Sequence, residues 1–184
     1  MSRSSPICVP QPGCALAHQL EAFRPGGFAP PPAIVEEARA LLPVYTRALS
    51  PLPEPELARV VEEFAEMLNA GVANPLPGVA LQLRCVALGV ACAAVPALAW
   101  HGASVRRALV AFTFFPSAAQ LVALLEEQCG AARATHGRLR LLVAEADRRA
   151  ARAQAQERRW AQWGQQHAPV YNPVDNVDCM KNPT

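Results

Sequence analysis

The chain has 184 residues, of which 52% are hydrophobic, and this is sufficient for about one domain with a buried core. Aromatic residues make up only 6%, so we expect that core to consist of leucine, valine and alanine with a few phenylalanine anchors. The formal net charge of +2 excludes a strongly basic or acidic protein whose charge alone would indicate its partner.

Both ends of the chain lack helical periodicity. Residues 1–31 contain six prolines, and residues 165–184 are polar with two Asn-Pro turn signals. This composition predicts irregular, proline-rich arms that are either disordered or laid along the surface of a partner. The sequence therefore divides into an irregular arm (1–31), a helical core domain (32–149), a basic helical extension (150–164) and an irregular tail (165–184).

Helical segments and no convincing strand lie between these arms. Apolar residues recur there at three- and four-residue spacing. The segments span about residues 32–49, 55–70, 78–94, 102–112 and 118–163. The third is apolar over most of its circumference, which predicts a central helix. For the segment 118–163, the sequence leaves open whether the helix breaks at Gly130 or at Gly137. We therefore expect an all-α fold, a compact bundle of about four to five helices with a long C-terminal helix.

The clearest local signal is a Phe-Phe-Pro-Ser turn ahead of the last helix. Ser117 followed three residues later by Gln120 is a capping box. The residue before a proline is pushed to an extended conformation, so the chain should turn before that helix begins. We expect the residues of this turn to act as structural anchors; they are Phe112, Phe114, Phe115, Pro116 and Ser117.

Residues 85–105 carry no charged side chain and are the one candidate for a membrane span. A span needs about 20 strongly apolar residues, and this stretch is rich in alanine and contains Pro96. We interpret it as a buried core helix ending near Ala94, and membrane association is the weakest of three functional hypotheses. No secretory signal is visible, and six scattered cysteines without a C-x-x-C favour reduced thiols in a cytoplasmic protein.

None of the common catalytic or nucleotide-binding motifs occurs in the chain. Its four histidines are far apart and have no carboxylate or cysteine at ligand spacing. The acidic cluster of Glu62, Glu63 and Glu66 is typical of the solvated face of a helix. We therefore predict a protein that is not an enzyme and has no metal site or cofactor.

The long C-terminal helix is the one functional candidate. Between Gly130 and Gly164 it contains eight arginines against three acidic residues. Arginine can contact phosphates, and tryptophan can stack on an unpaired base. The candidate contact residues for nucleic acid or a protein partner are Arg148, Arg149, Arg152, Arg158, Arg159, Trp160 and Trp163. The charge is nevertheless spread around the helix, which weakens the nucleic-acid interpretation and favours a solvated helix or one whose tryptophans pack on another subunit.

The stretch from Trp100 to Leu125 resembles a segment of small helical phage and prophage proteins. The likeness comprises an aromatic start, a helix around Ser104–Leu109, and the Phe-Pro-Ser turn that opens the next helix. Some of those proteins are replication accessory proteins of the helicase-loader type. The resemblance implies a helix–turn–helix packing element without catalytic residues. Because the chain has no nucleotide-binding loop, an ATP-driven loader is excluded.

Two functional hypotheses follow from these observations. In the first, a non-enzymatic phage or prophage protein acts as a replication or DNA-transaction accessory through its Arg- and Trp-containing helix. In the second, the chain is a structural or assembly protein that oligomerises through its helical core while its arms contact neighbouring subunits. In the first hypothesis this helix contacts nucleic acid or a helicase-type partner, whereas the second requires self-association; a protein partner or self-association is thus expected, and nucleic acid is an open alternative.

Overall fold

A computed structural model describes residues 9–167, and this part of the chain is helical without a β-strand. The predicted all-α class is confirmed. The seven α-helices of the described part are α1 (Cys14–Ala22), α2 (Pro32–Leu49), α3 (Glu54–Gly71), α4 (Gly78–Ala91), α5 (Gly102–Ala111), α6 (Ala118–Gln128) and α7 (Gly130–Gln166). A short 3₁₀ helix, Ala97–Ala99, precedes α5. The chain divides into two compact units between Ala146 and Asp147, and this boundary falls within α7.

The main core of the first unit joins α3, α4, α5 and α6. Its centre is a set of buried leucines and aromatic rings. They include Leu57, Phe64, Leu68, Leu88, Trp100, Leu121 and Leu125. The rings of Phe64 and Trp100 meet edge to face, with centroids 5.6 Å apart and planes at 87°. This arrangement is the one that aromatic quadrupoles favour, and it fixes the segment after α4 against α3.

A second buried cluster corrects the prediction of an irregular arm over residues 1–31. Helix α1 lies inside that range, and Leu16, Leu20 and Phe23 are buried with Leu139 and Leu142 of α7. The three α1-side residues follow the four- and three-residue spacing of one helical face, which the surrounding prolines obscure in the sequence. Helix α1 and Phe23 are therefore part of the core. The predicted tail lies outside the described residues from residue 168 onward.

Polar contacts hold α1 to α2. The backbone N–H of Gly13 donates to Oε1 of Glu37 over 2.7 Å. The hydroxyl of Tyr45 donates to the carbonyl of Pro10 over 3.3 Å, and burial raises the pKa of that hydroxyl. Both hydrogen bonds satisfy backbone groups that have no hydrogen-bond partner within a helix.

The helix expected over 118–163 is two helices. The interruption is at Cys129, which lies between α6 and α7, and α7 then continues through Gly137 without a break. Cys129 is fully buried in the main core, so the interruption between the two helices lies inside the packed part of the first unit. The total exceeds the expected four to five helices because α1 was missed and because the last segment divides beside Gly130, one of the two breaks that the sequence left open.

The Phe-Phe-Pro-Ser turn is formed as predicted at its polar end. The N–H of Gln120 donates to Oγ of Ser117 over 3.3 Å, and the N–H of Ser117 donates to Oε1 of Gln120 over 2.9 Å. Phe112 and Phe115 pack against the main core, and Pro116 is buried.

Phe114 is not a core anchor, because 60% of its surface is exposed. Neighbouring side chains of a non-helical segment point to different sides, so burial of Phe115 leaves the adjacent ring in solvent.

Helix α4 is not the central helix that its composition predicted. Leu88 is its one buried residue, although Cys92 immediately after it is also buried. The helix packs one side on α3 and α6 and leaves an apolar side uncovered. Within residues 9–167, no helix has both the length and the apolarity that crossing a membrane would require.

Candidate nucleic-acid interface

The second unit carries every candidate contact residue of the C-terminal helix, from Arg148 to Trp163. Its described part, residues 147–167, is helical to Gln166. All of its side chains are exposed except Arg149 and Ala155, which are half-buried. The candidate residues therefore lie on a surface that can be contacted from outside.

Six of the seven candidates gather on one side of α7. A helix turns by about 100° per residue, which places these six within an arc of about 120°. They are Arg148, Arg149, Arg152, Arg159, Trp160 and Trp163. Arg158 points elsewhere, and its Nε donates to the carbonyl of Gln154 over 3.3 Å. The expectation that charge is spread around the helix is thus wrong for this segment.

Three further residues belong to the same side and were not predicted. Gln156, Gln166 and His167 share the arc, and we define the Arg/Trp face as the six residues above together with Gln156 and His167. The missed signal was the spacing from Arg148 through Arg152, Gln156, Arg159 and Trp163 to His167, in steps of four and three. Such steps place residues on a single helical face.

The aromatic members of the Arg/Trp face form a short row of rings. Trp160 and Trp163 meet edge to face, with centroids 6.2 Å apart and planes at 84°. Trp163 stacks on the imidazole of His167 at 4.6 Å and 20°. The indoles are 63% and 56% exposed, so large flat surfaces face solvent. Large exposed aromatic surfaces of this kind are typical of sites that bind a partner.

The charged members lie beside these rings. Arg152 and Arg159 line an open groove together with Gln156, Trp160 and Trp163. The acidic residues of the described part of this unit, Asp147 and Glu157, fall outside the arc. Between residues 147 and 167, cationic and aromatic groups therefore share one side of the helix and both carboxylates lie outside it, and an anionic ligand with flat rings matches that surface.

The first unit contains one close pair of a serine and a histidine, and it is structural. The side chain of His101 accepts a hydrogen bond from the N–H of Ser104, which caps the start of α5. Ser104 is fully buried, and its hydroxyl donates to Oε1 of Gln128 over 2.7 Å. A buried serine that already donates its proton to an amide cannot attack a substrate from solvent.

Three of the described thiols, those of Cys85, Cys92 and Cys129, are likewise set in unreactive surroundings. Burial raises the pKa of the Cys92 thiol to about 11, and burial also raises the pKa values of Cys85 and Cys129. Thiols rather than thiolates therefore prevail at neutral pH. Among residues 9–167, no three His, Cys, Asp or Glu side chains are grouped so that they could hold a metal ion.

Comparison with protein-family models, curated proteins and solved structures finds no match to this chain.

Proposed function

We propose that this chain is a non-enzymatic binding protein whose Arg/Trp face binds single-stranded nucleic acid. In this proposal it acts in a bacterial cytoplasm as a phage or prophage replication or DNA-transaction accessory protein. The observation that supports binding is the placement of cationic and aromatic residues on one arc of residues 147–167, with Asp147 and Glu157 outside that arc.

The arginines of this face suit the phosphate backbone. A guanidinium can donate two parallel hydrogen bonds to phosphate oxygens, and it remains charged at every physiological pH. Arg152 and Arg159 lie two helical turns apart, about 10 Å along the axis. That spacing lets one strand contact both groups in succession.

The two tryptophans favour binding of a single strand over binding of a duplex. Stacking of a base on an aromatic side chain contributes about 1–3 kcal/mol, and it requires a base whose face is not already paired within a duplex. Trp160 and Trp163 are exposed beside the arginine-lined groove, so a bound strand could place bases on them while its phosphates reach Arg152 and Arg159.

Fluorescence anisotropy with labelled single- and double-stranded DNA tests this proposal on the full chain. Single-stranded binding should weaken as salt rises from roughly 50 to 200 mM, because bound phosphates release counterions. The double variant Arg152→Gln/Arg159→Gln should weaken binding and lower the slope of log K against log salt by about 1.4, or about 0.7 per lost contact.

A matched control is available on the same helix. Arg158→Gln removes the same charge from outside the Arg/Trp face, so it should change binding much less than Arg152→Gln. The variant Trp160→Ala/Trp163→Ala should reduce the preference for single strands over duplex. Absence of salt-sensitive binding at the lower salt concentration, or equal losses for Arg158→Gln and Arg152→Gln, would refute the proposal.

The second candidate function is an assembly component that oligomerises through its helical core. The uncovered apolar side of α4 favours it. The hypothesis drawn from the sequence gives both arms the role of contacting neighbouring subunits. Since α1 packs on its own chain, the helical core rather than α1 would make those contacts.

A further inference from the structure

The exposed apolar residues of α4 form a continuous stripe. Val79, Leu83, Val86 and Val90 are 74%, 69%, 69% and 77% exposed. They follow one another in steps of four, three and four residues, so they lie along one side of the helix. This set is called the α4 stripe below.

The α4 stripe is held in place by the rest of the first unit. The opposite side of α4 packs on α3 and α6, with Leu88 buried in the main core. At the start of the helix, the side-chain amide of Asn69 donates to the carbonyl of Leu76 over 3.1 Å and its oxygen accepts the N–H of the same residue over 2.7 Å. A partner would therefore meet a surface that is already ordered.

The exposed area of the α4 stripe reaches the size of a functional apolar patch. A fully exposed valine or leucine side chain presents roughly 100 Å² of apolar surface, so the four residues present roughly 300 Å². The largest contiguous apolar patch of a typical monomer covers roughly 300–600 Å² and is often functional. A specific interface needs about 800 Å² from each partner, so the stripe can supply its apolar centre, while neighbouring small residues such as Ala87 and Ala91 supply the edge.

We propose that the α4 stripe is the centre of a symmetric interface with a second copy of this chain. The alternation of four and three residues is the spacing with which one helix packs against another. The order of steps is the same from either end, so a two-fold axis across the helix brings every stripe residue of one copy against a stripe residue of the other. The α4 stripe is therefore complementary to the same stripe on a second copy.

The charges of α4 also fit a second copy. Arg84 is the one charged residue between Gly78 and Ala91. Its guanidinium carbon lies 6.0 Å from the ring centroid of Phe115 in its own chain. With no charge in the stripe, two copies approach without repulsion. A helix that lies on a membrane instead carries a basic polar side, whereas the other side of α4 is buried in protein.

Sedimentation equilibrium of the full chain tests the proposal between roughly 5 and 200 μM, with reductant and high salt to suppress disulfides and charge contacts. The average mass should rise from 19.7 kDa toward twice that value with a micromolar dissociation constant, as expected for a small interface. Leu83→Glu should weaken association by about a hundredfold, because dimerisation would bury an unpaired carboxylate in each copy.

Val110→Glu is the matched control, because this α5 residue is 85% exposed and outside the α4 stripe. It should dimerise like the unmodified chain. Circular dichroism should show that both variants keep their helical content, and Leu83→Ser provides an uncharged second variant with weakened association. A chain that stays monomeric throughout, a Leu83→Glu variant that still dimerises, or a monomer that floats with phosphatidylcholine vesicles would overturn the proposal.

Discussion

Replacing Phe115 with alanine should destabilise the first unit measurably. The ring is half-buried against the main core, and Arg84 lies over its face. Removing a fully buried phenylalanine costs about 3–5 kcal/mol, so we expect about 2 kcal/mol for this partly covered ring. Loss of the cation–π contact adds about 0.5 kcal/mol. At about 2–4 °C per kcal/mol for a protein of this size, the melting temperature should fall by about 5–10 °C.

Phe114→Ala is the control for this experiment, since it removes the same side chain from the adjacent, mostly exposed position. We expect it to cost less than about 1 kcal/mol. Circular dichroism at 222 nm, followed during heating and during urea denaturation, measures both variants. Equal destabilisation by the two substitutions, or an unchanged melting temperature for Phe115→Ala, would contradict the assignment of only one of these rings to the core.

Three further results are expected, two from unfolding measurements and one from thiol labelling. Leu16→Ala should lower the free energy of unfolding by about 2–4 kcal/mol because Leu16 is fully buried, whereas the exposed His18→Ala on the same helix should have little effect. Burial, followed by the charge of Arg140, lowers the pKa of His136, so the unfolded chain takes up a proton first. Stability should therefore decrease as the pH falls below about 6.5, and His136→Gln should remove that part of the pH dependence in urea titrations. The buried Cys92, whose thiol pKa is raised to about 11, should resist iodoacetamide at pH 8 until urea unfolds the chain, as mass spectrometry of the labelled protein can show.

The sequence was sufficient wherever the determining interaction is local. Helical class, the capping box at Ser117, and the stops near Gly71 and Ala111 depend on residues within a few positions of one another. The cationic and aromatic residues of α7 could be found in the same way. Their position on one arc also follows from spacing alone. That arc is evident over the last five turns of α7, but not over the whole helix from Gly130.

Other features required the tertiary structure. Prolines concealed α1, whose nine residues form a helix against the surface that α2 and α7 provide. A helix this short gains too little from its own hydrogen bonds to be stable alone, so tertiary packing determines whether it forms.

The clearest case is α4. Its sequence is apolar nearly all round, and a periodicity analysis has no polar side from which to tell the outer surface. Only the positions of α3 and α6 determine that Leu88 is buried while Val79, Leu83, Val86 and Val90 face solvent. Local pattern determined the helical segments other than α1. Burial is a property of neighbours distant in the chain, and so the tertiary structure alone decided which apolar residues form the core and which remain available to a partner.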